Sequence, residues 1–350
     1  MIDYFEASVG SGQTVNVSGH VSDFDPNAGA LSVALSGPLT ANVSVDSGGN
    51  FSYSGSASSL STLEAVASDA GTGLSSDAAT TTIANDAPSL WFSVMPTGDG
   101  KNVQISGMVQ DESPGGLSVS FSGVVSGSVT TDSSGNFSLE TTASALGNVA
   151  ATTSDAWGVS SSEADSTLSS DPPTVSFWSE PTGSNQEITV YGQVTAGVPN
   201  GATVTISGVA SGTATADSYG NFSLTADASG EGSLSASATD VWGQTSSTST
   251  TTVLGSVPSI GSLNAVPIYN QSNQFVAWEL TGEIYDFAGT FTLNISGIYS
   301  GESSVTTTAQ DDTFTISIPL PENANGQLTV VATNSWGESS GPAYAYVWSM

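Results

Sequence analysis

A short pattern, Asp-Ser-x-Gly-Asn-Phe, recurs along this chain and limits its fold more than any other stretch. It reads Asp46-Ser47-Gly48-Gly49-Asn50-Phe51, then Asp132-Ser133-Ser134-Gly135-Asn136-Phe137, then Asp217-Ser218-Tyr219-Gly220-Asn221-Phe222. A degraded fourth copy reads Gln310-Asp311-Asp312-Thr313-Phe314. The phenylalanines Phe51, Phe137, Phe222 and Phe314 are therefore 86, 85 and 92 residues apart. Gly and Asn tolerate positive backbone φ, and Asp bonds its own backbone two residues on. Between alternating apolar runs, this is the chemistry of a β-hairpin turn. A turn repeating at that interval in 350 residues implies four tandem small β domains.

Period-2 alternation around each turn supplies the strands. The second strand of the first three repeats carries Val15/Val17/Gly19/Val21, Val103/Ile105/Gly107/Val109 and Ile188/Val190/Gly192/Val194 on one face. The third follows as Leu31/Val33/Leu35, Leu117/Val119/Phe121, Ala202/Val204/Ile206 and Phe291/Leu293/Ile295. An alanine-rich strand comes later: Leu63/Ala65/Ala67, Val149/Ala151, Leu234/Ala236/Ala238 and Leu328/Val330/Ala332. With a first strand and a Ser/Thr-rich last one, about seven strands fit each repeat, and no helical period competes. The expected fold is all-β: four tandem immunoglobulin-like sandwiches in an elongated rod, with domains at 1–86, 87–171, 172–257 and 258–350. The joints Asn85-Asp86-Ala87-Pro88, Ser170-Asp171-Pro172-Pro173 and Gly255-Ser256-Val257-Pro258 are short and stiffened by proline. At about 3.3 Å per residue and ~7 residues per strand, plus loops, each domain would be roughly 35–40 Å long.

The charge balance removes whole classes of function. Asp and Glu number 32 against one Lys and no Arg, so the formal net charge is −31. Such a chain repels nucleic acid and anionic membrane, whose recognition needs cations. No apolar run is long enough to span a bilayer. Without cysteine there is no disulfide, thiolate metal site or thiol nucleophile. His20, the single histidine, falls on the polar face of its strand, where solvation explains it. An enzyme is not expected. The start Met1-Ile2-Asp3-Tyr4-Phe5 has no basic segment followed by an apolar one, and Ile2 aligns with the first apolar residue of later repeats. A segment of a longer secreted protein is therefore expected.

The turn pattern, the alanine-rich strand ending in Thr/Ser-Asp-x-Trp-Gly and the Asp-x-Pro joints together resemble the tandem Ig-like and cadherin-like repeats of large bacterial surface proteins and adhesins. That resemblance covers the whole chain. It implies a non-enzymatic extender segment at the bacterial cell surface, spacing or assembling by stiff tandem domains. Two alternatives are a subunit of a self-assembling extracellular filament or sheath, and a stalk carrying a carbohydrate-binding repeat 4. Partners would be copies of itself, neighbouring domains of a larger protein, a glycan or a cell-surface protein.

Calcium is the candidate cofactor. In a seven-strand sandwich the loops after the second, fourth and sixth strands gather at one end with the incoming chain. Repeat 1 places Asp23, Asp25 and Asp69 in these loops, and repeat 2 places Asp111, Glu112 and Asp155 there. Asp86 and Asp171 lie in the joints. Calcium takes 6–8 oxygens from carboxylates and carbonyls, which converging acidic loops can supply. The turn residues Asp46, Asp132 and Asp217 already have a structural role, and repeat 3 has no acid in the loop after its second strand. Trp157, Trp242 and Trp336 occupy the loop after the sixth strand, where an indole can pack on Pro88, Pro173 or Pro258 and set the angle between domains. Repeat 4 departs from the others, holding 12 of the 28 aromatic residues. Tyr344, Tyr346 and Trp348 alternate along its last strand and form a candidate ligand or partner face, with Ala345 and Val347 on the other side.

Overall fold

A computed structural model describes residues 1–22, 31–182 and 186–348. Among these the regular structure is β throughout, seven strands to each repeat. Repeat 1 contains β1 (Ile2–Val9), β2 (Thr14–Val21), β3 (Leu31–Ser36), β4 (Ala41–Ser44), β5 (Asn50–Ser56), β6 (Thr62–Asp69) and β7 (Ala79–Thr82). Repeat 2 contains β8 (Ser89–Pro96), β9 (Asn102–Gln110), β10 (Ser118–Gly123), β11 (Gly127–Thr130), β12 (Asn136–Thr142), β13 (Gly147–Thr152) and β14 (Ala164–Leu168). Repeat 3 contains β15 (Thr174–Pro181), β16 (Glu187–Thr195), β17 (Thr203–Gly208), β18 (Gly212–Thr215), β19 (Asn221–Asp227), β20 (Gly232–Thr239) and β21 (Ser249–Val253). Repeat 4 contains β22 (Ser259–Tyr269), β23 (Phe275–Tyr285), β24 (Gly289–Gly297), β25 (Gly301–Thr307), β26 (Asp312–Ile318), β27 (Gly326–Thr333) and β28 (Ala343–Val347).

Each repeat is a sandwich of two antiparallel sheets. In repeat 2 these are β8-β9-β12 and β11-β10-β13-β14, and the same order recurs in the other three. The fourth strand therefore pairs with the third and not with the fifth. This corrects the hairpin expected at Asp-Ser-x-Gly-Asn: β11 and β12 lie in different sheets, so the turn is a crossover from one sheet to the other. Its local chemistry is as the residue types require. Asp132 Oδ1 accepts the Ser134 and Asn136 amides at 2.8 and 2.9 Å, and Gly135 takes φ 85°. The Asn136 amide, then Ser134, holds the Asp132 carboxyl below its ordinary range.

The inner faces follow the alternation. Val103, Ile105 and Val109 of β9 and Val119 and Phe121 of β10 are all nearly or fully buried, and the Phe121 ring lies against those of Phe92 and Phe137 of the opposite sheet. Large and small residues face each other across the larger sheet: Phe121 opposite Ala151, Ile206 opposite Ala236, Leu293 opposite Ala332. That alternation fills the interior without overpacking it. The phenylalanine of each turn pattern also has a fixed counterpart. Phe51, Phe137, Phe222 and Phe314 lie directly opposite Gly19, Gly107, Gly192 and Gly282. A Cβ on Gly192 would stand 2.4 Å from Phe222 Cζ, so the missing side chain is what lets the ring lie on the strand.

The chain divides into two compact units. One comprises residues 1–97 and 101–169; the other comprises 98–100 and 170–350.

Candidate metal site at the first joint

The loop between β13 and β14 is organised by one carboxylate. Asp155, buried, accepts the Trp157 and Val159 amides on Oδ1 at 2.9 and 2.8 Å. Its other oxygen faces the joint and accepts Asn85 Nδ2 at 2.5 Å, and that amide also reaches the Asp86 carbonyl at 3.1 Å. Asp111, just after β9, accepts the Ser113 amide on Oδ1 at 2.8 Å. Asp111, Glu112 and Asp155 each bring a carboxylate oxygen within 4.8 Å of the others. Two acceptors beside them, Asp111 Oδ2 and Asn85 Oδ1, are buried without a hydrogen-bond partner. A buried acceptor left unmatched costs about 1–3 kcal/mol. Burial, together with the charges of Asp111 and Asp155, raises the Glu112 carboxyl above its ordinary range. The site is thus a concentration of negative charge and orphaned oxygens, with the donor set of a hard cation.

In repeats 3 and 4 the same position is closed by hydrogen bonds. In repeat 3, Ala196 and Gly197 align with Asp111 and Glu112. Gln244 Nε2 bridges Asp240 Oδ2 and the Ser170 carbonyl, both at 3.1 Å. In repeat 4, Asn334 replaces the Asp of this loop. Its Nδ2 donates to the Ser256 carbonyl at 2.7 Å and to Asp286 Oδ2 at 3.0 Å, while the Ser256 hydroxyl donates to Asp286 Oδ1. Neutral donors there satisfy the oxygens that repeat 2 leaves crowded. In repeat 1, Asp69 accepts the Gly71 amide and the Thr72 hydroxyl of its own loop, each at 2.7 Å. Asp23 and Asp25 lie outside the described residues. The Asp86 and Asp171 side chains are exposed. The acids expected to converge do so in repeat 2 alone among the described residues.

Further contacts fasten the first joint. Trp157 packs against the core of repeat 1. Gly12 N donates to Ser113 Oγ at 3.1 Å and Gln13 Nε2 to the Ala156 carbonyl at 3.2 Å. At the third joint Trp336 packs against the core of repeat 3, with its Cβ and Cγ 2.7 Å from where a Cβ on Gly255 would be. Pro88, Pro173 and Pro258 are buried, and Trp242 is half-buried with its amide on Asp240 Oδ1. In the last strand Ala345 and Val347 point inward, and the aromatic side faces solvent. Sequence reasoning missed Asn85. The signal was present, since Ser170 and Gly255 stand in its place at the other joints.

No family model and no curated protein matches this chain. Several solved structures are similar to it. One is a calcium-stabilised adhesin with which an Antarctic bacterium binds ice: 17% identity, 97% of this chain and 94% of that chain covered, TM-score 0.24. Invasin, a bacterial integrin-binding protein, is 14% identical, with 99% and 78% covered and a TM-score of 0.38. The D0–D1 domain of intimin is 13% identical over 47% of this chain and 97% of that one, with a TM-score of 0.17. Likenesses at these scores carry no argument about the activity of this chain.

Proposed function

We propose that this chain is a structural spacer, a non-enzymatic segment of an extracellular bacterial surface or adhesin protein. In this reading four Ig-like domains, 1–86, 87–171, 172–257 and 258–350, act as a stiff extension. The observation that carries it is the pair of fastened joints: Trp157 on the core of repeat 1 and Trp336 on the core of repeat 3, each beside side-chain hydrogen bonds across the joint. Loosely tethered domains have no need of such contacts. The near absence of Lys and Arg, which leaves trypsin-like proteases almost nothing to cut, suits an extracellular location.

Calcium fits the first joint. Asp111, Glu112 and Asp155 would hold it, with Asn85 Oδ1 as a neutral ligand reaching in from the joint. The bound ion would supply the positive charge that the cluster lacks and tie the end of repeat 1 to two loops of repeat 2. Melting the chain in calcium and in chelator tests this: the unit containing Asp155 should melt higher in calcium, and coincident transitions would remove the metal from the proposal. Small-angle scattering with light scattering tests the spacer. A monomer of maximum dimension on the order of 150 Å is expected from four domains of sandwich length. A compact particle, or a polymer growing with concentration, would overturn it.

A further inference from the structure

The outer face of β28 differs from its counterparts in a way that the spacer reading does not use. Tyr344, Tyr346 and Trp348 are 52%, 52% and 64% exposed. The register of each last strand identifies the equivalent residues elsewhere: Thr80, Thr82 and Ala84 in repeat 1, Asp165, Thr167 and Ser169 in repeat 2, Thr250, Thr252 and Leu254 in repeat 3. Three small or mainly polar sets are thus replaced once by three large aromatics, all turned to water. Tyr346 and Trp348 stack on each other, centroids 6.0 Å apart and planes 22° apart, and Gln327 Nε2 donates to the Tyr346 hydroxyl at 3.0 Å. The strip is therefore held in place. Other exposed aromatics, such as Trp178 against Tyr191, pair across strands without forming a run.

We propose that this face binds a neutral polysaccharide. The residues beside the strip are mainly hydrogen-bonding and uncharged, with two apolar ones, the exposed Ile298 and the half-buried Val331, among them. Gln327 and Thr329 lie opposite Tyr346 and Tyr344 on β27; Ser296 and Asn294 continue the face on β24, with Glu302 beyond them on β25. Aromatic rings take the C–H faces of pyranoses, while amides and hydroxyls take their hydroxyl groups. From Tyr344 to Trp348 the strand advances about 13 Å, enough to underlie more than one sugar ring of an extended chain. Charge selects among occupants. The chain's single Lys is Lys101 and it has no Arg, so repeat 4 offers no cation to an acidic glycan, a nucleic acid or an anionic lipid. A second copy would bring another net −31 against this one. An uncharged polyol meets neither obstacle.

The test uses the full chain and a variant carrying Tyr344→Thr, Tyr346→Thr and Trp348→Leu, the residues that repeat 3 has in the same places. Because an equivalent sandwich already accommodates that set, the variant should fold, and its unchanged melting temperature verifies this. Both proteins are run through gels cast with soluble β-glucan, xylan or galactomannan, and sedimented with microcrystalline cellulose and chitin. Retention of the full chain by at least one of the five, weakened at least tenfold in the variant, is expected. No retention by any of them overturns the proposal, as does equal retention of the variant. A wild-type dimer on gel filtration that the variant abolishes also overturns it and assigns the face to a second copy.

Discussion

Changing Asp111 to Asn should raise the melting temperature in chelator and erase the response to calcium. The oxygens of Asp111, Glu112 and Asp155 lie within 4.8 Å of one another. Two unit charges at that separation repel by about 3.5 kcal/mol at an effective dielectric near 20, and by about 0.9 kcal/mol in bulk water. Glu112 is exposed, so the weaker figure governs its pair with Asp111, and it is the lower bound for Asp111 with the buried Asp155. Asp111→Asn removes two of the three pairs, a relief of about 2 kcal/mol in the metal-free protein, and its Oδ1 still accepts the Ser113 amide. For a unit of this size that is a rise of about 4–8 °C.

Calcium reverses the bookkeeping for the parent alone. Extracellular modules bind it with dissociation constants of about 0.1–1 mM, so 5 mM calcium would stabilise the parent by roughly 1–2.3 kcal/mol. The variant, short of one charged ligand, would keep little of that. Calorimetry of both proteins in chelator and in 5 mM calcium reads all four values. A variant that melts lower than the parent in chelator, or that gains the same calcium increment, would refute the reasoning.

Three further outcomes follow from the fold. Acid titration in chelator should show two opposed limbs. Glu112 has a raised carboxyl pKa, so the folded state holds its proton more tightly and stability rises as the pH falls from neutral toward that pKa; Asp46, Asp132 and Asp217 have lowered ones, so their contribution is present above about pH 4 and lost below it. Asp132→Asn should flatten the second limb in melting temperatures taken across pH 2–5. Gly192→Ala should cost more than Gly282→Ala: the new Cβ meets the Ser176 carbonyl at 2.4 Å as well as a ring, whereas at Gly282 it meets the Phe314 ring at 2.7 Å and a leucine methyl. About 1–3 kcal/mol is expected for Gly282→Ala and the top of that range or beyond for Gly192→Ala by chemical denaturation, and the reverse order would disprove the ring-on-glycine account. Trp336→Ala should destabilise by about 2–3 kcal/mol and speed hydrogen exchange at the Gly255 amide, because the indole covers the end of the repeat 3 core.

Much of this architecture could be read before any coordinates. The spacing of Phe51, Phe137, Phe222 and Phe314 counted the repeats, because a sandwich needs one such ring per core. Alternation named Val103, Ile105 and Val109 as inward, since a strand has a side-chain period of two and a mixed pattern has one way to bury itself. The turn was legible as a turn and misread as a hairpin. Asp132, Gly135 and Asn136 specify a local backbone path, and the same path serves whether the next strand pairs with the last or crosses to the opposite sheet.

Tertiary structure decided the rest. The acids Asp69, Asp86, Asp111, Glu112, Asp155 and Asp171 look alike in a sequence, each a carboxylate in a polar loop. Asp69 is held within its own loop, Asp86 and Asp171 lie in water, and Asp111, Glu112 and Asp155 crowd one another beside Asn85. Whether charges attract a cation or are quenched by an amide depends on distances of a few ångströms between loops far apart in the chain. Local pattern does not encode those distances; the way each sandwich brings its loops together at one end, beside the joint, sets them. The last strand shows the same division. Alternation placed Tyr344, Tyr346 and Trp348 on one side, and the buried Ala345 and Val347 opposite them determined that this side faces water.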